Sequence, residues 1–442
     1  MSSSERAHRA GRPDERTPGS ERAPGAGRME GTGEFPFLIG TAAAEITPPV
    51  GVTLAGYKPR VSNGVAHPLR AEALYCAATG SSGRAGAWLL VACDLIGFPL
   101  SYTNELRAEI SARTGLKPGA VLLCGTHTHS GPGVILVSED EQTDADTVYL
   151  SELKRGLTAL AERAAASAAP GRFETAETQA PGLSANRRVT LEDGTWGNEW
   201  EDPDGRHTGY NDPAVLLGVV ARPDGTREAL LVNFGCHPVT LGPSSLEISP
   251  DYPGYLKDTL ERGGAAKTAI FLLAGAGNIN PRVCIRTGDA YPRLMGEALA
   301  ASIFPALGRL LPAGGGTVGT ASIPWRIVRT RDAFKFRGQP APNAGDTLET
   351  ELVALSAGDV GFIGIPGELF SEYNRPIREE SPFRHTFIVT LANDYAGYFP
   401  TDRAQEEGAY ETKMAPASGL EKTLLAEVRR ALEAARKTGG EP

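Results

Sequence analysis

Ala120-Val-Leu-Leu-Cys124 runs straight into Gly125-Thr-His-Thr-His-Ser-Gly-Pro132. An apolar run of strand length ends abruptly in two histidines and a Ser-Gly-Pro turn. The same punctuation recurs along the chain. Ala87 to Cys93 leads to Asp94, and Ala229 to Phe234 leads to Gly235-Cys-His-Pro238. Thr268 to Leu273 leads to the glycine turn Gly275 to Pro281, and Val360 to Ile365 leads to Pro366-Gly-Glu368. Thr386 to Leu391 leads to Asn393-Asp-Tyr-Ala-Gly-Tyr398. Continuous apolar runs of this length suit strands buried on both faces. Apolar residues at helical spacing fill Ser101 to Thr114, Val148 to Ser167, Tyr291 to Leu311 and Gly419 to Lys437. The pattern predicts an α/β fold with a central mixed sheet covered by helices. Such sheets bind ligands beyond the carboxyl ends of their strands, so the polar ends are expected to meet in one cleft.

Composition narrows the classes of function. The 442 residues are 41% hydrophobic and 22% charged, with a formal charge of −9. Lys and Arg are scattered, and without a basic stripe to displace counterions a nucleic-acid partner is not expected. No apolar run reaches the ~18 residues of a membrane span, and Gly86 to Leu100 is interrupted by Asp94. Met1 to Gly33 is rich in Ser, Arg, Gly, Pro and Glu. Residues 1–34 are therefore expected to be a disordered extension, or Met29 to be the true start. The N-terminus has no apolar core of a secretion signal. Cys76, Cys93, Cys124, Cys236 and Cys284 are few, odd in number and mostly set in apolar runs, so no disulfide framework and a cytoplasmic location are expected. Cys124 and Cys236 are read as core residues. The ordered domain is expected over residues 35–437, with a surface loop over Arg331 to Thr347 and no internal repeat.

Two of only seven histidines are His127 and His129. On extended chain, residues two apart point the same way, so both rings are expected to face one site. His237 follows another strand in the same manner. A hydrolytic zinc site needs about three or four N, O or S ligands and an open position for water, whose pKa the metal lowers. Glu368 is a candidate carboxylate ligand. No Gly-x-Ser-x-Gly elbow, His-Glu-x-x-His helix or Walker-type motif competes with this reading. Gly275-Ala-Gly277 lacks the lysine of a phosphate loop and is expected to serve close backbone approach instead.

The ordered set of motifs resembles the catalytic domain of the neutral/alkaline non-lysosomal ceramidase family. It comprises Ala44 to Gly51, Leu54 to Tyr57, Val91 to Leu95, Gly125 to Pro132, Asn186-Arg187, Asn233 to Pro238, Asp251 to Gly254, Gly275 to Arg282, Ile365 to Glu368 and Tyr395 to Tyr398. The resemblance implies a single catalytic domain with a zinc ion (Zn2+) held by His127, His237, Glu368 and Tyr398. It also implies that His129 moves protons and that Arg187 and Tyr410 polarise the scissile group. Family ceramidases carry Gly-Asp-x-Ser-Pro at the glycine turn, whereas this chain reads Gly277-Asn-Ile-Asn-Pro281. An amide cannot act as a nucleophile, so Asn280 and Asn278 are expected to orient substrate or water, and ceramide is not the expected substrate. The chain also stops where the family's ceramidases continue into a β-sandwich. The implied activity is zinc-dependent hydrolysis of an amide (N-acyl) bond in a small acylated molecule, through metal-activated water. An ester or lactone hydrolase at the same site, or a non-catalytic metal-binding protein, would use the same ligands.

Overall fold

The structure, a computed structural model, describes residues 35–79, 86–135, 143–330 and 343–439. The segment 1–34 and most of the Arg331 to Thr347 loop lie outside the described residues. The principal strands in chain order are β1 (Phe37–Glu45), β2 (Arg70–Ala78), β3 (Ala87–Cys93), β4 (Val121–Gly125), β5 (Ala169–Gln179), β6 (Ala214–Ala221), β7 (Arg227–Phe234), β8 (Thr268–Leu273), β9 (Val318–Val328), β10 (Thr347–Ala357), β11 (Val360–Gly364) and β12 (His385–Val389). The long helices are α1 (Leu100–Thr114), α2 (Asp144–Ala166), α3 (Tyr252–Arg262), α4 (Ala290–Ile303) and α5 (Glu421–Thr438).

A large central mixed sheet forms as expected, and a second, four-stranded sheet packs against it. The larger runs β8-β7-β6-β5-β1-β2-β3-β4, with Leu311–Pro312 added beside β5, and the smaller runs β9-β10-β11-β12. Within both sheets only three pairs are parallel, namely β3 with β4, β7 with β8 and β11 with β12. These are the six apolar runs singled out in the sequence. The reason is visible in strand β3. Leu89, Val91 and Cys93 pack against helices α1 and α2, while Trp88, Leu90 and Ala92 face the second sheet. A strand covered on both faces has no solvent side, so its sequence does not alternate. The smaller sheet repeats the pattern, with Phe362 and Phe387 inward and Ile363 and Ile388 outward against α5. The result is a sandwich of helix, sheet, sheet and helix.

Helix α3 was not expected from the sequence. Pro253 sits in its first turn, where Pro is tolerated because its missing N–H has no partner to lose. The stretch expected to be helical over Tyr291 to Leu311 divides into α4 and a 3-10 turn at Phe304–Gly308. All five cysteines are buried and free. Cys124 lies between the sheets and Cys236 under α3. No described helix is long and apolar enough to cross a membrane.

Candidate metal centre

The three parallel pairs all end on the same site. His127 follows β4, but not on extended chain as expected. Its φ is +73°, a left-handed conformation strained for a side chain with a Cβ. The turn is held by His127 N–H donating to the Leu95 carbonyl (2.9 Å) and by Nδ1 against the Ile96 carbonyl (2.8 Å). The two rings nevertheless converge, with Nε2 of His129 3.3 Å from Nε2 of His127. Gly56 makes room for this. At φ +89° it lies so close that a Cβ there would stand 2.4 Å from the His129 ring. Tyr57 meets the same ring edge-on at 5.1 Å.

His237 follows β7 and sets Nδ1 against the Ala276 carbonyl at 2.7 Å. Its Nε2 lies 2.9 Å from Oε2 of Glu368, an oxygen also 3.5 Å from Nε2 of His127. Glu368 is positioned by a short parallel ladder in which Glu368 pairs with Tyr398. Tyr395 donates its hydroxyl to the other oxygen, Oε1, at 2.7 Å. Gly277 abuts this ladder so closely that a Cβ would fall 2.8 Å from the Glu368 carbonyl. The glycine turn thus does serve backbone approach.

Arg187 is buried and fully engaged. It donates to Glu411 (2.8 Å), Asn280 Oδ1 (3.1 Å), the Gly277 carbonyl (2.7 Å) and the Tyr398 hydroxyl (3.3 Å). Asn280 spans Arg187 and the Trp200 carbonyl, to which its amide donates at 2.8 Å. Asn278 is not brought into the cluster by its side chain. Its amide donates to Glu372 and its Oδ1 accepts from the Ser371 N–H. Tyr410 is 42% exposed at the rim, with its ring 5.8 Å from Tyr398 and 5.6 Å from Trp200.

The sequence reading missed Glu411, Tyr395 and Trp200. Glu411 is fully buried and shared between Arg187 and Arg188. Adjacent arginines at the junction of two short strands, both meeting one distant acid, leave no signal in sequence. Tyr395 was in plain view beside Tyr398, but only the fold separates the one that braces Glu368 from the one that faces Arg187.

The electrostatics fit a cation. With Nδ1 of His127 and His237 donating to carbonyls, each Nε2 presents a lone pair. These lone pairs face one another and a carboxylate oxygen. Burial, and next the Arg187 charge, hold His237 below its ordinary value, and burial with the neighbouring rings holds His129 well below. Burial raises the Glu368 carboxyl, but the His127 and His237 rings outweigh it and keep it well below the usual range. Burial, then Glu368, push the Tyr398 hydroxyl well up. Burial opposes the Arg187 charge, and Tyr398 and Glu411 more than restore it. Converging imidazole nitrogens and a carboxylate are the side-chain types of a metal site. Among the described residues, His127, His129 and His237 form a group that could hold a metal ion, their ligand atoms within 4.8 Å of one another.

Comparison with solved structures shows the same fold in the neutral ceramidase from Pseudomonas aeruginosa. The TM-score is 0.71 at 19% identity, over 92% of this chain and 75% of that one. A ceramidase complexed with C2 matches equally, with TM-score 0.71 and 17% identity, over 91% of this chain and 75% of that one. The chain has a ceramidase-like fold. No family model matches the sequence.

Proposed function

We propose that residues 35–437 form the catalytic domain of a zinc-dependent hydrolase that cleaves an amide (N-acyl) bond in a small acylated molecule. The observation that carries this reading is the convergence of His127 Nε2, His129 Nε2, His237 Nε2 and Glu368 Oε2. His127, His237, Glu368 and Tyr398 would hold the zinc. Zinc bound there supplies a Lewis acid and makes water acidic enough to ionise near neutral pH.

The remaining steps belong to this chain's own groups. The His129 Nε2 would take a proton from water and return it to a leaving group. Arg187 keeps its charge and, with the Tyr410 hydroxyl, faces the place where negative charge develops on a carbonyl oxygen. Asn280 holds Arg187 to that task rather than acting as a nucleophile, which an amide cannot do. Tyr395 fixes one oxygen of Glu368 and leaves the other for the metal.

The preference for an amide over an ester rests on the ceramidase-like fold. Five buried free thiols suit a reducing compartment, and we place the protein in the cytoplasm. A panel of N-acyl and O-acyl compounds, assayed with zinc-loaded and chelator-stripped protein, tests the reading. N-acyl turnover that chelation removes and zinc restores is expected. Turnover of O-acyl compounds alone would replace the amidase with an esterase, and zinc binding without turnover would leave a metal-binding protein.

A further inference from the structure

The stretch Ser249 to Lys257, which enters helix α3, touches both histidine turns at once. Toward the His127 turn, the Ser249 carbonyl accepts from Thr128 Oγ1 (2.7 Å) and its N–H donates to the Ser130 carbonyl (2.9 Å). Lys257 Nζ reaches both oxygens of Asp94 at 2.9 Å, and Asp94 accepts from Thr126 Oγ1 at 3.3 Å. Toward the His237 turn, the Tyr252 hydroxyl donates to the Cys236 carbonyl at 2.5 Å. Asp251 accepts from Thr240 Oγ1 on Oδ1 (2.6 Å) and from the Leu241 N–H on Oδ2 (3.0 Å).

Asp251 itself is an unfavourable residue held in place. Its φ of +57° with ψ −158° is strained for any residue but glycine. Its buried carboxylate is met by hydroxyl and N–H donors, the Tyr252 N–H included at 2.6 Å. A helix start can be capped without such strain. Strain that the surroundings impose on a buried residue points to a job done there.

We infer that Asp251 is a positioning residue for the metal centre. It ties the His237 turn to the same short segment that carries the His127 turn, and so sets the distance between the two rings. The inference rests on the metal reading above.

Asp251→Asn tests it with little change of shape, since Asn matches Asp in size and branching and meets the same backbone strain. Oδ1 serves Thr240 and Tyr252 while Oδ2 serves Leu241, so an amide in either orientation sets its NH2 against a main-chain N–H. The full chain and the variant are titrated with zinc against a chromogenic chelator, and their metal-free forms are melted. The cobalt-loaded forms are compared by visible absorption. Zinc affinity should fall about 10–100-fold, as for other residues that orient ligands. The cobalt bands should shift, with little change in the metal-free melt. Tyr252→Phe removes only the hydroxyl on the Cys236 carbonyl and should weaken zinc in the same direction, which keeps the test alive if Asp251→Asn does not fold. Affinity within twofold of the unaltered chain, or lost only in step with metal-free stability, overturns the inference. An unaltered chain that takes up no zinc overturns the metal reading itself.

Discussion

Two buried polar clusters lie on either side of strand β4's end, and they are built on opposite plans. In one, Lys257 and Arg70 meet Glu72 and Asp94, with Lys257 Nζ 2.9–3.1 Å from all four oxygens and Arg70 reaching on to Glu261 at 2.8 Å. In the other, three imidazole nitrogens and the Glu368 carboxylate face one another, and Arg187 is turned to Glu411, Asn280 and Tyr398. In the first cluster every carboxylate meets a cation. The second gathers three imidazoles and one carboxylate, a grouping that could hold a metal ion. Burial alone therefore does not mark a functional site. The kind of groups buried together does.

The contrast can be broken by single changes, and the largest effect belongs to the second cluster. His237→Ala should remove zinc binding and bring N-acyl turnover to background, read by chelator competition and by rate. If turnover survives with zinc absent, the cluster is not the reactive centre. Next is Lys257→Met, which leaves Glu72 and Asp94 without their cation and should cost about 3–5 kcal/mol in urea melts. A loss below about 1 kcal/mol would mean the network is not what holds that turn.

Glu368→Gln sharpens the comparison. The His127 and His237 rings hold the buried carboxylate well below its usual range, so the folded chain favours its charged form. The neutral amide should therefore destabilise the metal-free protein by about 1–3 kcal/mol and also weaken zinc. An unchanged or raised metal-free stability would show that the carboxylate is not held by those rings. Asn280→Ser is shorter and cannot span Arg187 and Trp200. Losing a hydrogen bond to a charged group, worth about 1.5–3 kcal/mol, should lower kcat roughly 10–100-fold. Gained turnover on ceramide would mean instead that the serine itself decides specificity.

The smallest effect calibrates both clusters against a pair that water reaches. Burial lowers the His67 pKa, but Asp258 at 3.0 Å and the Pro68 carbonyl raise it on balance, while His67 helps to lower Asp258. A histidine raised in the folded state lends stability fully present below the unfolded value of about 6.5 and lost as pH rises through the folded value. For the lowered Asp258 the contribution is present above about 3.9 and lost below it. His67→Gln should therefore lower stability by a few tenths of a kcal/mol near pH 5.5, screened by partial exposure, and by nothing near pH 8.5. A difference that does not change with pH would assign the effect to packing.

Much of this was legible in the sequence, and particular residues show why. The six apolar runs could be read because strands covered on both faces cannot alternate, and Ala87–Cys93 and Thr268–Leu273 match the observed strands end to end. Their division into two sheets was hidden, since Val360–Gly364 looks like any other buried strand. His127, His237, Glu368 and Arg187 were legible as polar ends of runs or by resemblance, and the fold gathers them. The direction of the Asn278 amide, the shared partner Glu411 and the strained Asp251 were not. Each depends on contacts between residues more than ninety positions apart or on a backbone angle no local pattern announces.

The most direct test of the account is the metal content of the purified full chain before and after dialysis against chelator, with zinc then added back. The account predicts about one zinc per chain, removed by the chelator and regained on addition, and no zinc for His237→Ala. A chain that carries no metal and takes up none when zinc is supplied would contradict it.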